Sequence, residues 1–172
     1  MKRLLVLGIG LFLVMGCGKA EKSSSQSQTA PMAESSAKEN AEAVSAKLIA
    51  EGKNDLRNGD IIVAIKKFDE AIHRNPRDPN HYMVLGETYL NLHNYDKAID
   101  TFTAGLVLDP DNGPANYMLA LAYNFQGNKE LAIQHAQKST QIFQDTKDAE
   151  NFRKSLLLLR GLTQANGTAQ KK

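Results

Sequence analysis

The stretch Tyr82-Met83-Val84-Leu85-Gly86-Glu87-Thr88-Tyr89 decides the reading of this chain, because its pattern returns at a fixed interval. With Ala98, Phe102, Gly105 and Pro110 downstream it makes a template. Moved forward by 34 residues, the template meets Asn116, Leu119, Ala120, Tyr123, Ala132, Ala136, Ser139 and Gln144. Moved back by 34, it meets Leu48, Glu51, Gly52, Asp55, Ala64, Phe68, Ala71 and Pro76. Ala64, Ala98 and Ala132 hold register throughout, while Gly52 pairs with Gly86, Phe68 with Phe102 and Pro76 with Pro110. Self-similarity at such a period is the mark of a stacked repeat, in which each unit buries its apolar side only against its neighbours.

Within one unit the spacing is helical. Tyr82, Leu85, Tyr89 and Leu92 fall on one face of a first helix, and Ile99, Phe102 and Leu106 on one face of a second. Asp60, Asn94 and Asn128, also 34 apart, stand where second helices start, and each suits an N-cap. Gly59 and Gly127 precede two of them, where a left-handed residue ends the first helix. Asp78-Pro79 supplies a cap and a proline suited to the first helical turn. Gly86 and Ala98 are small because paired helices approach within roughly 8–10 Å.

The motif, aromatic-x-x-Leu-Gly-x-x-Tyr followed by Ala, Phe, a small residue and Pro, resembles the tetratricopeptide repeat. That resemblance implies an all-α helical solenoid of three helix-turn-helix repeats at about 45–78, 79–112 and 113–146 within residues 36–146. The first unit departs from the family pattern at Glu51 and Asp55, the third at Ala136 and Gln144. A capping helix is expected over 147–162, where Phe152, Leu156 and Leu159 form a stripe widened by Leu157 and Leu158. Gly161 is expected to end it, leaving residues 163–172 as a flexible tail. At the front, Ser36 to Glu39 has capping-box spacing, so the first helix is expected to start there.

The N-terminus reads as an address. Lys2 and Arg3 precede the apolar run Leu4–Met15, whose twelve residues fall short of the roughly 20 that span a bilayer and match a secretory signal. The run closes on Leu13-Val14-Met15-Gly16-Cys17, which resembles the lipobox of bacterial lipoproteins. The resemblance implies a signal peptide over 1–16, lipid attachment at Cys17, the single cysteine, and anchoring in the cell envelope. Gly18, where that family places Asp to retain proteins at the inner membrane, points to the outer membrane facing the periplasm. Residues 17–35 then form a disordered tether, since the polar run Lys19–Ser35 lacks apolar period; it would span about 20–25 Å as a flexible coil.

Composition narrows the function. Setting aside Lys2 and Arg3 leaves 19 basic against 19 acidic residues, and that balance argues against nucleic acid as partner, whose binding needs a concentrated positive field. His73, His81, His93 and His135 lie on different segments without metal-ligand spacing and read as surface residues. Asp109-Pro110-Asp111-Asn112-Gly113 lacks the closing Glu of a calcium loop and reads as a turn. No nucleophile elbow or phosphate-binding loop is present, so neither enzyme activity, cofactor nor metal is expected.

A binding surface is what the resemblance implies instead. The first helix of each repeat lines a concave groove, and the family's groove positions fall on Ile49, Lys53, Leu56 and Arg57; on Asn80, Met83, Glu87, Leu90 and Asn91; and on Tyr117, Leu121, Asn124 and Phe125. Ile49, Tyr117 and Leu121 stand where a carboxylate clamp would need polar groups. The leucines serve equally well as packing residues. The function expected is a membrane-anchored adaptor that binds a partner peptide or helix, for assembly of an envelope complex of the pilotin or cell-wall-enzyme kind; the alternative is a self-assembling homo-oligomer.

Overall fold

The computed structural model describes residues 30–169, and side-chain surroundings for 38–164. The expected signal segment, Cys17 with its lipid, the tether up to residue 29 and the final three residues lie outside the described residues. Within them there are seven helices and no strand: α1 (Ala30–Asn58), α2 (Ile61–Arg74), α3 (Pro79–Asn91), α4 (Tyr95–Leu108), α5 (Gly113–Gln126), α6 (Lys129–Asp145) and α7 (Ala149–Ala169). Three antiparallel pairs, α1/α2, α3/α4 and α5/α6, are the three repeats, and α7 closes the stack against α6. The expected all-α solenoid is the fold observed.

Glycine and phenylalanine set the spacing inside the first two pairs. A Cβ on Gly52 would stand 2.5 Å from Phe68 Cε1, and one on Gly86 2.5 Å from Phe102 Cε1. Both phenylalanines are fully buried, each ring filling the space its glycine leaves empty, a burial that contributes ~1.5–3 kcal/mol apiece. In the third pair the equivalent residues are Ala120 and Ala136, both fully buried. The methyl at Ala120 takes room that a ring at 136 would need. Leu162 of α7 and the partly buried Tyr123, Ile133, Leu158 and Leu159 complete that cluster instead.

The turns follow the residues that the repeat leaves fixed. Gly59 and Gly127 sit at φ +89° and +91°, and His93, the residue between them in register, adopts φ +58° without being glycine. Asn94 and Asn128 accept from the backbone N–H groups of Lys97 and Leu131 at 3.3 Å, as N-caps should. Asp60 occupies the same position but makes no side-chain capping bond. Asp78 and Asn112 cap α3 and α5. Pro76 and Pro110 keep the preceding Asn75 and Asp109 out of helical backbone, with φ −137° at both and ψ 80° and 84°, which ends α2 and α4 after 14 residues. With Gln144 in place of proline, α6 runs on to 17 residues, and Lys147, at φ +59°, reverses the chain into α7.

Both outer helices are longer than expected. α1 starts at Ala30, inside the stretch read as tether, and Ser36 lies within it rather than at its cap; Pro31, in the first turn, forfeits no intrahelical hydrogen bond. α7 continues through Gly161 to Ala169, into the stretch read as tail. The reason is Leu162, 5% exposed. The helix must stay regular past Gly161 to bring it to the core, and a mid-helix glycine costs only ~1 kcal/mol, less than burying a leucine contributes.

Candidate functional site

The residues on the expected groove positions all keep contact with solvent. Lys53, Arg57, Asn80, Asn91 and Phe125 are exposed; Ile49, Met83, Glu87, Tyr117, Leu121 and Asn124 are half-buried. Their surroundings divide them. Ile49 and Leu56 pack against the core of Ala64, Phe68 and Leu85, and Met83 and Leu90 against that of Ala98, Phe102 and Leu119, so each is part floor and part surface. Arg57 donates to Asn54 Oδ1 at 3.1 Å, and Asn80 donates to its own cap, Asp78, at 2.9 Å. The Phe125 ring stacks on Tyr95 of α4 with centroids 5.4 Å apart, leaving its outer side in water.

Charge on this face is mixed at one end. Burial holds the Glu87 carboxyl above its ordinary range, opposed by the Lys53 ammonium on the neighbouring helix. Behind it, Lys67 on α2 reaches Asp55 Oδ2 at 2.8 Å and Glu51 Oε2 at 3.3 Å, and its hydrogen bond to Asp55 raises the Lys67 ammonium above the usual lysine range. Glu51 and Asp55, the two departures of the first repeat, are therefore a carboxylate pair around one lysine.

At the other end α5 and α7 frame two openings. Tyr117 borders a cleft of 140 Å³ with Met118, Phe143, Asn151 and Lys154. Asn124 borders a notch of 310 Å³ with Lys129, Leu157, Leu158, Gly161 and Leu162. Lys154 and Leu157 were not among the sequence-derived positions. Leu157, expected to join the buried stripe, is 61% exposed. The signal was present: four consecutive leucines at 100° per residue cannot share one buried face.

Two histidines differ from the surface reading. His81 is 4% exposed, its Nδ1 3.2 Å from the Asn75 carbonyl oxygen and its Nε2 3.3 Å from Asp78 Oδ2, which fastens the turn between α2 and α3. His135 stacks on Tyr123 and lies 3.0 Å through Nδ1 from Asn116 Oδ1. Since Asn116 Nδ2 donates to the Asn112 carbonyl, Nδ1 carries the proton to Asn116. Burial, and then the Lys138 charge, push the His135 pKa down. Asn116 is fully buried, so this pair fills the place where the second repeat has Tyr82. His73 and His93 are exposed. Residues 109–113 form the expected turn, with Asn112 N–H donating to the Asp109 carbonyl at 3.2 Å. Among the described residues no three His, Cys, Asp or Glu side chains gather as a metal site.

With this geometry in hand, comparison with known proteins gives concordant results. A family model described as tetratricopeptide repeat matches residues 49–113 and 85–146, together more than half of the chain. Superkiller protein 3 of Schizosaccharomyces pombe is 33% identical over 70 residues, 41% of this chain but 5% of that protein's length. Among solved structures, the TPR2B domain of yeast Sti1, in a complex with pHsp70, is similar at TM-score 0.66 and 20% identity over 70% of this chain and 97% of its own. PcrH of Pseudomonas aeruginosa has TM-score 0.66 and 18% identity, covering 71% and 93%. The translocator chaperone SycD of Yersinia enterocolitica has TM-score 0.66 and 17% identity, covering 71% and 85%.

Proposed function

Because the chain belongs to the tetratricopeptide repeat family, a fold that serves protein–protein interaction, we propose that it is an adaptor holding an extended peptide or helix of a partner protein across α1, α3 and α5. The observation that carries this is the α5 end of that face. Tyr117 and Asn124 each border an open cleft, Leu121 one helical turn from both keeps solvent access, and aromatic, aliphatic and amide groups together fit a segment that presents side chains and unsatisfied backbone alike. PcrH, similar in fold, has been solved with the chaperone-binding region of PopD, which supports a peptide-like occupant here. We further propose that the adaptor is lipid-anchored through Cys17 to the periplasmic leaflet of the outer membrane and serves assembly of an envelope complex. Support for this comes from Lys2, Arg3, the apolar run and the residues around Cys17.

Photocrosslinking tests the adaptor reading. A photoreactive residue replaces Tyr117 in living cells of a Gram-negative host, with exposed Lys66 on α2 as control. A discrete protein adduct from position 117 alone is expected; self-adducts alone would favour the homo-oligomer. Labelling with a palmitate analogue, lost in Cys17→Ser, tests the anchor.

A further inference from the structure

α7 closes the stack, yet one of its faces is not needed for closure. Glu150, Arg153, Lys154, Leu157, Arg160 and Gly161 are exposed at helical spacing, a face that carries a leucine at its centre. Leu157 borders the notch it shares with Asn124, Lys129, Leu158, Gly161 and Leu162. Gly161 is exposed on its border, and a Cβ built there meets no atom within 4 Å, so a larger side chain at this position has open space to enter. A volume of 310 Å³ sits at the lower end of small-molecule pockets and suits one bulky side chain with its backbone. The neighbouring cleft, with Lys154 beside Tyr117, makes this face continuous with the α5 residues above.

The charges say what accompanies that side chain. Three cations, Arg153, Lys154 and Arg160, surround Leu157 against one carboxylate, Glu150, which Lys154 already holds at 2.7 Å. Lys129 lines the notch, and neither it nor Arg153 and Arg160 on the exposed face of α7 makes an ion pair within 4.0 Å among the described residues, although the Arg153 charge also helps to lower the Glu150 carboxyl pKa. The ends of the chain itself are poor occupants. Residues 165–172 carry two lysines and no acid, and residues 1–29 carry Lys2, Arg3, Lys19 and Lys22 against Glu21.

From this placement we infer that α7 is a specificity wall as well as a lid: its notch takes a large aliphatic or aromatic side chain of an acidic partner segment, with an adjacent carboxylate answered by the Arg153, Arg160 and Lys129 side chains. This rests on the adaptor reading and adds the chemistry of the occupant. The face carries one exposed leucine, Leu157, among three cations, whereas a helix that lies in a membrane surface buries a continuous apolar face in the lipid, so the pattern favours a peptide.

The test uses the full chain with labelled Leu and Met methyl groups and three synthetic twelve-residue peptide pools. The pools are randomised except for a central pair, Leu-Glu, Leu-Lys or Ala-Glu. The Leu-Glu pool is expected to bind at least tenfold more tightly than either other pool and to shift the Leu157 and Leu158 methyls. Gly161→Leu, which fills the notch, and Leu157→Asn, at an exposed position, should each erase the preference for Leu with melting temperature held or raised for the first. Shifts at Met83 and Leu121 with Leu157 and Leu158 unmoved would sink the notch and spare the adaptor reading. Absence of binding by every pool would overturn both. Leu157 shifts produced by phosphatidylglycerol vesicles alone, or by raising protein concentration alone, would replace the peptide with a membrane or a second copy.

Discussion

The first and third repeats both stand at ends of the stack and both depart from the pattern of the middle one, but they do so in opposite ways. The first keeps the Gly52–Phe68 contact and replaces two apolar positions of its outer helix by Glu51 and Asp55, gathered on Lys67. It meets water by becoming polar. The third keeps Leu119 and Tyr123 but gives up the ring for Ala136, and it meets α7 through small groups. Ser139, Thr140 and Ser155 are buried there: Ser155 Oγ lies within hydrogen-bonding reach of both other hydroxyls, and the three share their protons between one another and the Ala136 carbonyl. A terminal repeat can be closed by solvation or by another helix, and this chain uses one device at each end.

The sharpest way to break the comparison is to remove the second device. Ending the chain after Thr146 exposes Ala132, Ala136, Ser139 and Thr140 and forfeits Ser155, Leu158, Leu159 and Leu162. A loss of roughly 3–6 kcal/mol is expected from that apolar burial, with protection from hydrogen exchange lost first in α5 and α6 and retained in α1 and α2. Uniform loss of protection across all helices would show that the two ends are not independent.

A smaller effect probes the Gly–Phe contact. Gly52→Ala places a methyl 2.5 Å from the Phe68 ring and should cost about 1–3 kcal/mol by overpacking. In a Phe68→Ala background, which reproduces the Ala120–Ala136 arrangement, the same change should cost nothing or stabilise the fold. Additive effects in chemical denaturation of the four variants would count against direct contact.

The two ends should also titrate in opposite directions. His135 has its pKa lowered on folding, so the unfolded chain binds the proton more readily, and stability falls as pH drops below the unfolded value of 6.5. Lys67 has its pKa raised, so its contribution is complete below 10.5 and is lost as pH rises through the higher folded value. Segment-resolved hydrogen exchange should show α5 and α6 weakening in acid, α1 and α2 in strong base. His135→Gln should flatten the acid arm alone, and Lys67→Met the basic arm alone.

The smallest expected change lies between the ends. His93 holds φ +58° where its two counterparts are glycines. His93→Gly should raise stability by about 1 kcal/mol or less, read as a small increase in melting temperature. A decrease would mean that the edge-on contact of His93 with Tyr95, centroids 6.0 Å apart, outweighs the backbone strain.

Much of this was legible in the residues. The 34-residue interval located three helix pairs because each pair must repeat the same small, aromatic and turn-forming groups at the same places. Gly59, Gly127, Asn94 and Asn128 marked their turns because those jobs depend on local backbone geometry alone. Asp60 has the right chemistry for a cap and makes no capping bond, since a side-chain rotamer answers to its surroundings as well as to its position. The thirteen groove positions were those that the family resemblance implies, yet Phe125 spends one ring face on Tyr95, a contact between residues thirty apart.

By itself, the sequence determined the fold class, the number of repeats and the turn positions, because periodicity, capping and left-handed glycines are properties of short segments. Tertiary structure alone decided which departures from the pattern matter. It paired Glu51 and Asp55 with Lys67, buried His81 and joined His135 to Asn116, and kept the helix regular through Gly161 so that Leu162 reached the core. It also turned Leu157 out beside Asn124. Each of these depends on which group lies across a helix interface, and only the packed chain fixes that.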